Sequence, residues 1–261
     1  MDGNPASPRQ CGFTLPEMLV AMVVGAIVIS SVFKIWKNNQ QETHRLYSVS
    51  DYRERVTLAT TRLNRTITMA GFGMSRIDVF FRSTGLKTDT LKVYSNESEE
   101  HSSVIDTAKA GQTQMLLFRT TGFAVGRHIG ITDSLNQEYA RVTSISGDSA
   151  DGYHVGVYPP LQHTYLPGVP DIYPVHQEIF YLNSQSQNLV HLRDGSQATL
   201  AGGIQDFRIK FLDRNGNEAA THRDIRSVTF TVSGTYRKVT EGATLPPMIN
   251  FSSTVIPRNI L

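Results

Sequence analysis

Residues 18–33, MLVAMVVGAIVISSVF, form an unbroken run of apolar and small side chains. With residues 13–17 in front, where Thr14 and Glu17 are the polar interruptions, the segment reaches roughly 30 Å as a helix, the thickness of bilayer hydrocarbon. A secretory signal peptide has a shorter apolar region that ends in a small-residue cleavage site, whereas this run leads straight into Lys34, Trp36 and Lys37. A lipoprotein reading of Cys11 fails as well, because the apolar run follows the cysteine and residues 4–10 before it are polar. The segment therefore reads as a retained membrane-spanning helix. Glu17 stands out within it, since a carboxylate at the start of a spanning helix is costly unless it meets a cation or reaches the interface.

Composition excludes several function classes. Lysine and arginine total 25 against 23 acidic residues in 261, a net charge of +2 that gives no electrostatic case for binding nucleic acid. A single cysteine rules out an internal disulfide framework and any C-x-x-C metal or redox motif. The eight histidines never take the H-E-x-x-H spacing, although His176 and His191 could meet across a hairpin; no G-x-S-x-G elbow is present. The chain reads as a non-enzyme with no cofactor. Asp213, Asn215 and Asn217, with Asp224 further on, place oxygen ligands as a calcium loop does, but Glu218 stands where that loop wants glycine. An Asn215-Gly216 turn is the favoured reading of this stretch, with calcium kept open beside it.

Between Gly25 and Gly71 there is neither glycine nor proline. From Tyr52 onward apolar residues recur every three or four positions through Val56, Ala59, Leu63 and Ile67, flanked by Arg53, Arg55, Arg62 and Arg65. That spacing predicts a helix with one buried stripe, continuous from about residue 13 to 70, roughly 85 Å long and stopped by Gly71. Beyond Gly73 the pattern changes to short strands at 90–94, 113–120, 127–133, 138–146, 153–158, 177–183, 188–193, 205–213, 225–233 and 250–256. The polar stretch 95–113 reads as a mobile loop, and the prolines of 159–160 and 167–174 mark another. The expected fold class is α+β, a long N-terminal helix packed on an antiparallel sheet domain.

The motif Gly12-Phe13-Thr14-Leu15-Pro16-Glu17 resembles the leader junction of the type IV pilin-like family. The stretch LNRTITMAGFG at 63–73 resembles the helix end of PilW-like minor pilins, and Pro257-Arg258-Asn259 is similar to the ending of many members. Pro16 departs from the aliphatic residue usual in the family, a change the first helical turn tolerates. The resemblance implies a leader, residues 1–12, removed after Gly12 by prepilin peptidase, with N-methylation of the new terminus at Phe13. It implies a spine helix at 13–71, of which 13–33 lies in the membrane or filament core and 34–71 packs on the sheet, and a β-rich head at 72–261. In the family's assembly scheme Glu17 pairs with the Phe13 amine of a neighbouring subunit.

The implied function is that of a minor pilin that primes or joins a type IV pilus, with adhesion and twitching motility as the processes served. A type II secretion pseudopilin of the J type is the alternative within the class, and a membrane-anchored periplasmic binding or enzyme domain is a distant one. Implied partners are prepilin peptidase, other major and minor pilins, the inner-membrane assembly platform and the lipid bilayer. The N-terminus is placed in the cytoplasm and the head in the periplasm. Counting charges argues the other way, since Arg9 alone precedes the span while Lys34, Lys37, Arg45, Arg53 and Arg55 follow it.

Overall fold

A computed structural model describes residues 14–74, 80–82, 90–220, 224–235 and 248–257. Two compact units are distinguished, one up to Asp51 and one from Tyr52 onward. A single helix, α1 (Leu15–Thr68), contributes residues to both. Its first part makes up the described residues of the first unit. Its last part, from Tyr52, belongs to the second and buries Tyr52, Val56, Ala59, Leu63, Thr66 and Ile67, the stripe that the three-and-four spacing predicts. Val56, Leu63 and Ile67 are fully buried, and each contributes roughly 1.5–3 kcal/mol by leaving water.

The helix ends where its backbone finds a strand to bond. Ala70 N–H donates to the Ile67 carbonyl in a tightened last turn, and Gly71 N–H leaves the helix to donate to the Tyr94 carbonyl at 3.0 Å. Gly71 and Gly73 both have positive φ, 72° and 66°, and a Cβ on Gly73 would collide with the Asn96 carbonyl. Glycine is required there because the turn is left-handed and lies against another backbone.

Among the described residues twelve strands follow: β1 (Phe80–Arg82), β2 (Thr90–Ser95), β3 (Gln114–Leu117), β4 (His128–Thr132), β5 (Gln137–Asp148), β6 (Gly152–Tyr158), β7 (Asp171–Asn183), β8 (Asn188–Arg193), β9 (Ser196–Gly202), β10 (Ile204–Leu212), β11 (Ser227–Gly234) and β12 (Ile249–Val255). All pairings among them are antiparallel. They form a three-stranded sheet β10-β11-β12 and a nine-stranded sheet ordered β1-β2-β7-β4-β5-β6-β3, with β8 added to β7 and β9 to β8. The expected α+β class is what the structure shows.

β7 is the strand that both halves of the large sheet share. Asp171–Val175 pairs with β4, His176–Tyr181 with β2, and Glu178–Asn183 with β8. Two cores result. In the first, the α1 stripe packs with Leu91, Phe180, Phe207, Ile209, Phe211 and Phe230. On β10 and β11 these alternate with outward residues, and a bulge between Ile204 and Asp206 brings Ile204 back onto the inner face with Phe207. The second core lies within β3 to β6 and their loops and holds Leu117, Ile129, Ile131, Val155, Leu161 and Tyr165.

The structure corrects the sequence reading in four places. The stretch 95–113 is stitched down, not mobile: Ser102 bridges Ile172, Val104 bridges Leu117 and Ala108 bridges Tyr165. There the fully buried Asn96 donates through Nδ2 to the carbonyls of Gly73 and Glu100. The loop expected over 167–174 gives way to β7 at Asp171, because Pro174 sits inside the strand opposite Ile129; proline is compatible with a ladder where its missing N–H is not needed. β9 was not anticipated, its sequence SQATLAG carrying little apolar alternation. Neither was β1, only three residues long.

Candidate functional site

The beginning of α1 is built by four residues. Thr14 precedes the first helical residue, and its carbonyl accepts the N–H of Met18 at 3.2 Å, the first bond of the helix. Its backbone N–H donates to Glu17 Oε2 at 3.0 Å and its hydroxyl donates to the same oxygen at 2.9 Å. Thr14 and Glu17 thus form the return half of a capping box, T-x-x-E, with Leu15 and Pro16 between them. A carboxylate in the first turn also faces the positive end of the helix dipole. Sequence reading asked for a cation near Glu17 and overlooked Thr14, although the T-x-x-E spacing ahead of an apolar run is itself the signal. Gly12 and Phe13, the expected processing residues, lie outside the described residues.

From Met18 to Phe33 the surface of α1 is apolar or small all round. Met18, Leu19, Val20, Met22, Val23 and Val24 are exposed, as are the large apolar residues on to Phe33, and a Cβ on Gly25 would meet nothing. Among the described residues α1 is the helix long and apolar enough to cross a membrane, with none of that stretch buried in the chain's own fold. The Ser31 hydroxyl, which would be costly in lipid, donates to the Ile27 carbonyl at 2.9 Å. Phe33 and Trp36 meet edge to face with ring centroids 5.8 Å apart, beside Lys34 and Lys37. That is the aromatic and basic composition of a membrane interface.

The other sequence candidates separate. His176 and His191 do not meet. His176 Nδ1 lies 2.6 Å from Asp194 Oδ2 and His191 Nε2 lies 2.8 Å from Glu178 Oε2, while the register sets His191 opposite Phe180, with stacked rings 4.5 Å apart. At 213–217 the chain makes a tight turn. Asp213 Oδ1 accepts the N–H groups of Asn215 and Asn217 at 2.8 and 2.9 Å, Asp213 N–H donates to the Asn217 carbonyl, and Gly216 takes φ 82°. Leu212 bridges Glu218, so the turn doubles the end of β10 back on itself before β11 begins. Among the described residues no three His, Cys, Asp or Glu side chains are grouped to share a metal ion.

A model of the prokaryotic N-terminal methylation motif matches residues 7–33, the junction motif together with the apolar run. No curated protein and no solved structure matches the chain at a significant level. The methylation motif and the apolar α1 that follows it together fit a pilin-like or pseudopilin chain, structural in kind.

Proposed function

We propose that this chain is a minor pilin of the PilW-like type, inserted in the inner membrane with its N-terminus cytoplasmic and its β-rich head periplasmic, and built into a type IV pilus through α1. The observation that carries this reading is an apolar helix with no partner for its first half within the described fold, opened by Glu17 inside a matched methylation motif. Prepilin peptidase cuts after Gly12 and the amine of Phe13 becomes the new terminus. In the filament, apolar faces of neighbouring spine helices cover residues 18–33, and Glu17 pairs with the Phe13 amine of an adjacent subunit.

Pairing matters because a lone buried charge costs several kcal/mol, so a subunit in the wrong axial register leaves two charges uncompensated. Thr14 supports the same scheme: its two donors hold Glu17 Oε2 along the helix start before a neighbour arrives. A J-type pseudopilin uses the same helix chemistry with different partners. Mass spectrometry of the N-terminus, from cells with and without prepilin peptidase, tests the reading. An N-methylated Phe13 that depends on the peptidase is expected, and an intact leader in both strains overturns it.

A further inference from the structure

Among the described residues β12 is the outermost strand of its sheet. It pairs with β11 on one side, and no backbone hydrogen bond reaches Ile249–Val255 from the other. Every second residue of such a strand turns its N–H and C=O groups away from its neighbour, so β12 offers a row of unused donors and acceptors. Three other edges are closed or blunted. β10 is tied on its free side at both ends, by Ile204 N–H to the Gln187 carbonyl and by Ala219 N–H to the Phe211 carbonyl. β3 is flanked by the 103–105 segment, through Ile105 N–H to the Leu116 carbonyl and Phe118 N–H to the Ser103 carbonyl. β9 is bulged at Leu200, between the pairs Val190–Thr199 and Leu189–Ala201, and a bulge spoils an edge as a template.

The side chains of β12 say what the edge takes. Residues 248–257, MINFSSTVIP, carry no charge, and an uncharged edge lacks the usual guard against pairing. Met248 and Ile256, at its two ends, are 53% and 72% exposed. On the inner face Ile249 and Phe251 touch the α1 core yet stay partly open, and Ser253 Oγ donates to Asn64 Oδ1 of α1 at 3.1 Å. Thr61 and Thr57, three and seven positions before Asn64, lie on the same side of α1 and are exposed and uncharged. An added strand would therefore rest its inward side chains on Ile249, Phe251 and the threonine methyls. On the outer face it would meet a row of hydroxyls, Ser252 and Thr254, already bonded to Thr231 and Thr229.

A second copy of β12 is the wrong occupant. The two-fold axis that pairs antiparallel copies of one edge strand also reverses one copy of α1 against the other, and chains inserted the same way round in one membrane do not meet like that. This exclusion rests on the membrane-anchored reading above. We infer that β12 is a docking edge that takes an extended segment of a partner protein as a fourth strand of its sheet, with apolar side chains at every second position and no charge among those that face α1.

Fluorescence anisotropy with the full chain in detergent micelles tests it. The probe is a labelled peptide about nine residues long, valine alternating with threonine and a lysine at each end, and its control has proline in place of the valines. Saturable one-to-one binding of the probe is expected, with the control at least about tenfold weaker, and with slowed amide exchange at alternate residues of 249–255. Consecutive residues of a strand point their N–H groups to opposite edges, so one of Ser252→Pro and Ser253→Pro should keep the unfolding midpoint and raise the Kd at least about tenfold. Ile256→Asp changes an exposed side chain, should leave the midpoint in place, and should weaken binding about tenfold. No saturable binding, equal binding of the control, slowed exchange outside β12, or a Kd unmoved in Ile256→Asp and in both proline variants would each overturn the assignment. Dimerisation of the chain that the same substitutions abolish would overturn it in favour of a second copy. None of these readouts depends on processing at Gly12, so their failure is distinct from failure of the pilin reading.

Discussion

His191 Nε2 lies 2.8 Å from Glu178 Oε2, both side chains are buried, and the same carboxylate oxygen accepts the hydroxyl of Thr66 at 2.8 Å. Three elements meet at one oxygen: the last turn of α1, strand β7 and strand β8. The carboxylate makes a pH prediction. Burial pushes the Glu178 pKa up, but hydrogen bonds from His191 and Thr66 and the charges of His191 and Arg193 outweigh burial and leave it below its ordinary 4.5. A depressed folded-state pKa stabilises above the unfolded value and loses that contribution as pH falls through the folded one. The unfolding midpoint of the head should therefore fall as pH drops below about 4.5, and Glu178→Gln, which keeps an acceptor but cannot titrate, should flatten that acid limb. Calorimetric melts from pH 7 to pH 3 check both.

Leu63 is fully buried in the centre of the α1 stripe, against the residues of β10 and β11. Leu63→Ala removes apolar contact and leaves a cavity, so it should destabilise the head by about 2–5 kcal/mol. Denaturant melts followed by circular dichroism measure it. Leu58, exposed on the same helix, should tolerate the same truncation within about 0.5 kcal/mol.

A tyrosine hydroxyl and two glycines fill one another's space at the start of the stripe. Tyr52 is buried, with its pKa pushed up to about 12 by that burial, and a Cβ placed on Gly234 would strike both the Tyr52 hydroxyl and the Gly203 carbonyl. Gly234→Ala should cost about 1–3 kcal/mol, as overpacking does. Adding Tyr52→Phe should restore only part of the loss, because the Gly203 backbone remains in the way. Thermal melts of the single and double variants decide it.

Glu17→Ala should insert in the membrane and be cleaved normally, yet be depleted at least about tenfold from sheared filaments, because the Phe13 amine of its neighbour loses its counter-charge. Thr14→Ala keeps the backbone donor to Glu17 and loses only the hydroxyl, so it should assemble far closer to the unaltered level. Quantitative immunoblots of filament and membrane fractions separate the two variants.

What was legible in the sequence was whatever depends on near neighbours. The stripe Tyr52, Val56, Ala59, Leu63 and Ile67 repeats within one helix, and the inward Phe207, Ile209 and Phe211 alternate within one strand; periodicity reveals both. The Asn215-Gly216 turn was local too. What stayed hidden depends on pairing across distance: Glu178, His191 and Thr66 come together only through the register of β7 with β8 and the seat of α1 on the sheet. Ser102, Val104 and Ala108 looked unattached because their bridging partners are 13 or more positions away in the chain. Pro174 concealed the first part of β7 because proline usually argues against a strand.

Ser95 and His176 are register partners on β2 and β7, so the chain leaves for the second core and returns from it through neighbouring points. Directly opposed residues of an antiparallel pair lie about 5 Å apart, a gap that a two-residue turn closes. Everything between them, residues 96–175 with strands β3 to β6, is in effect a detachable module. Exchange of that module alone would give a related subunit a new outer surface and leave the helix-and-sheet foundation unchanged.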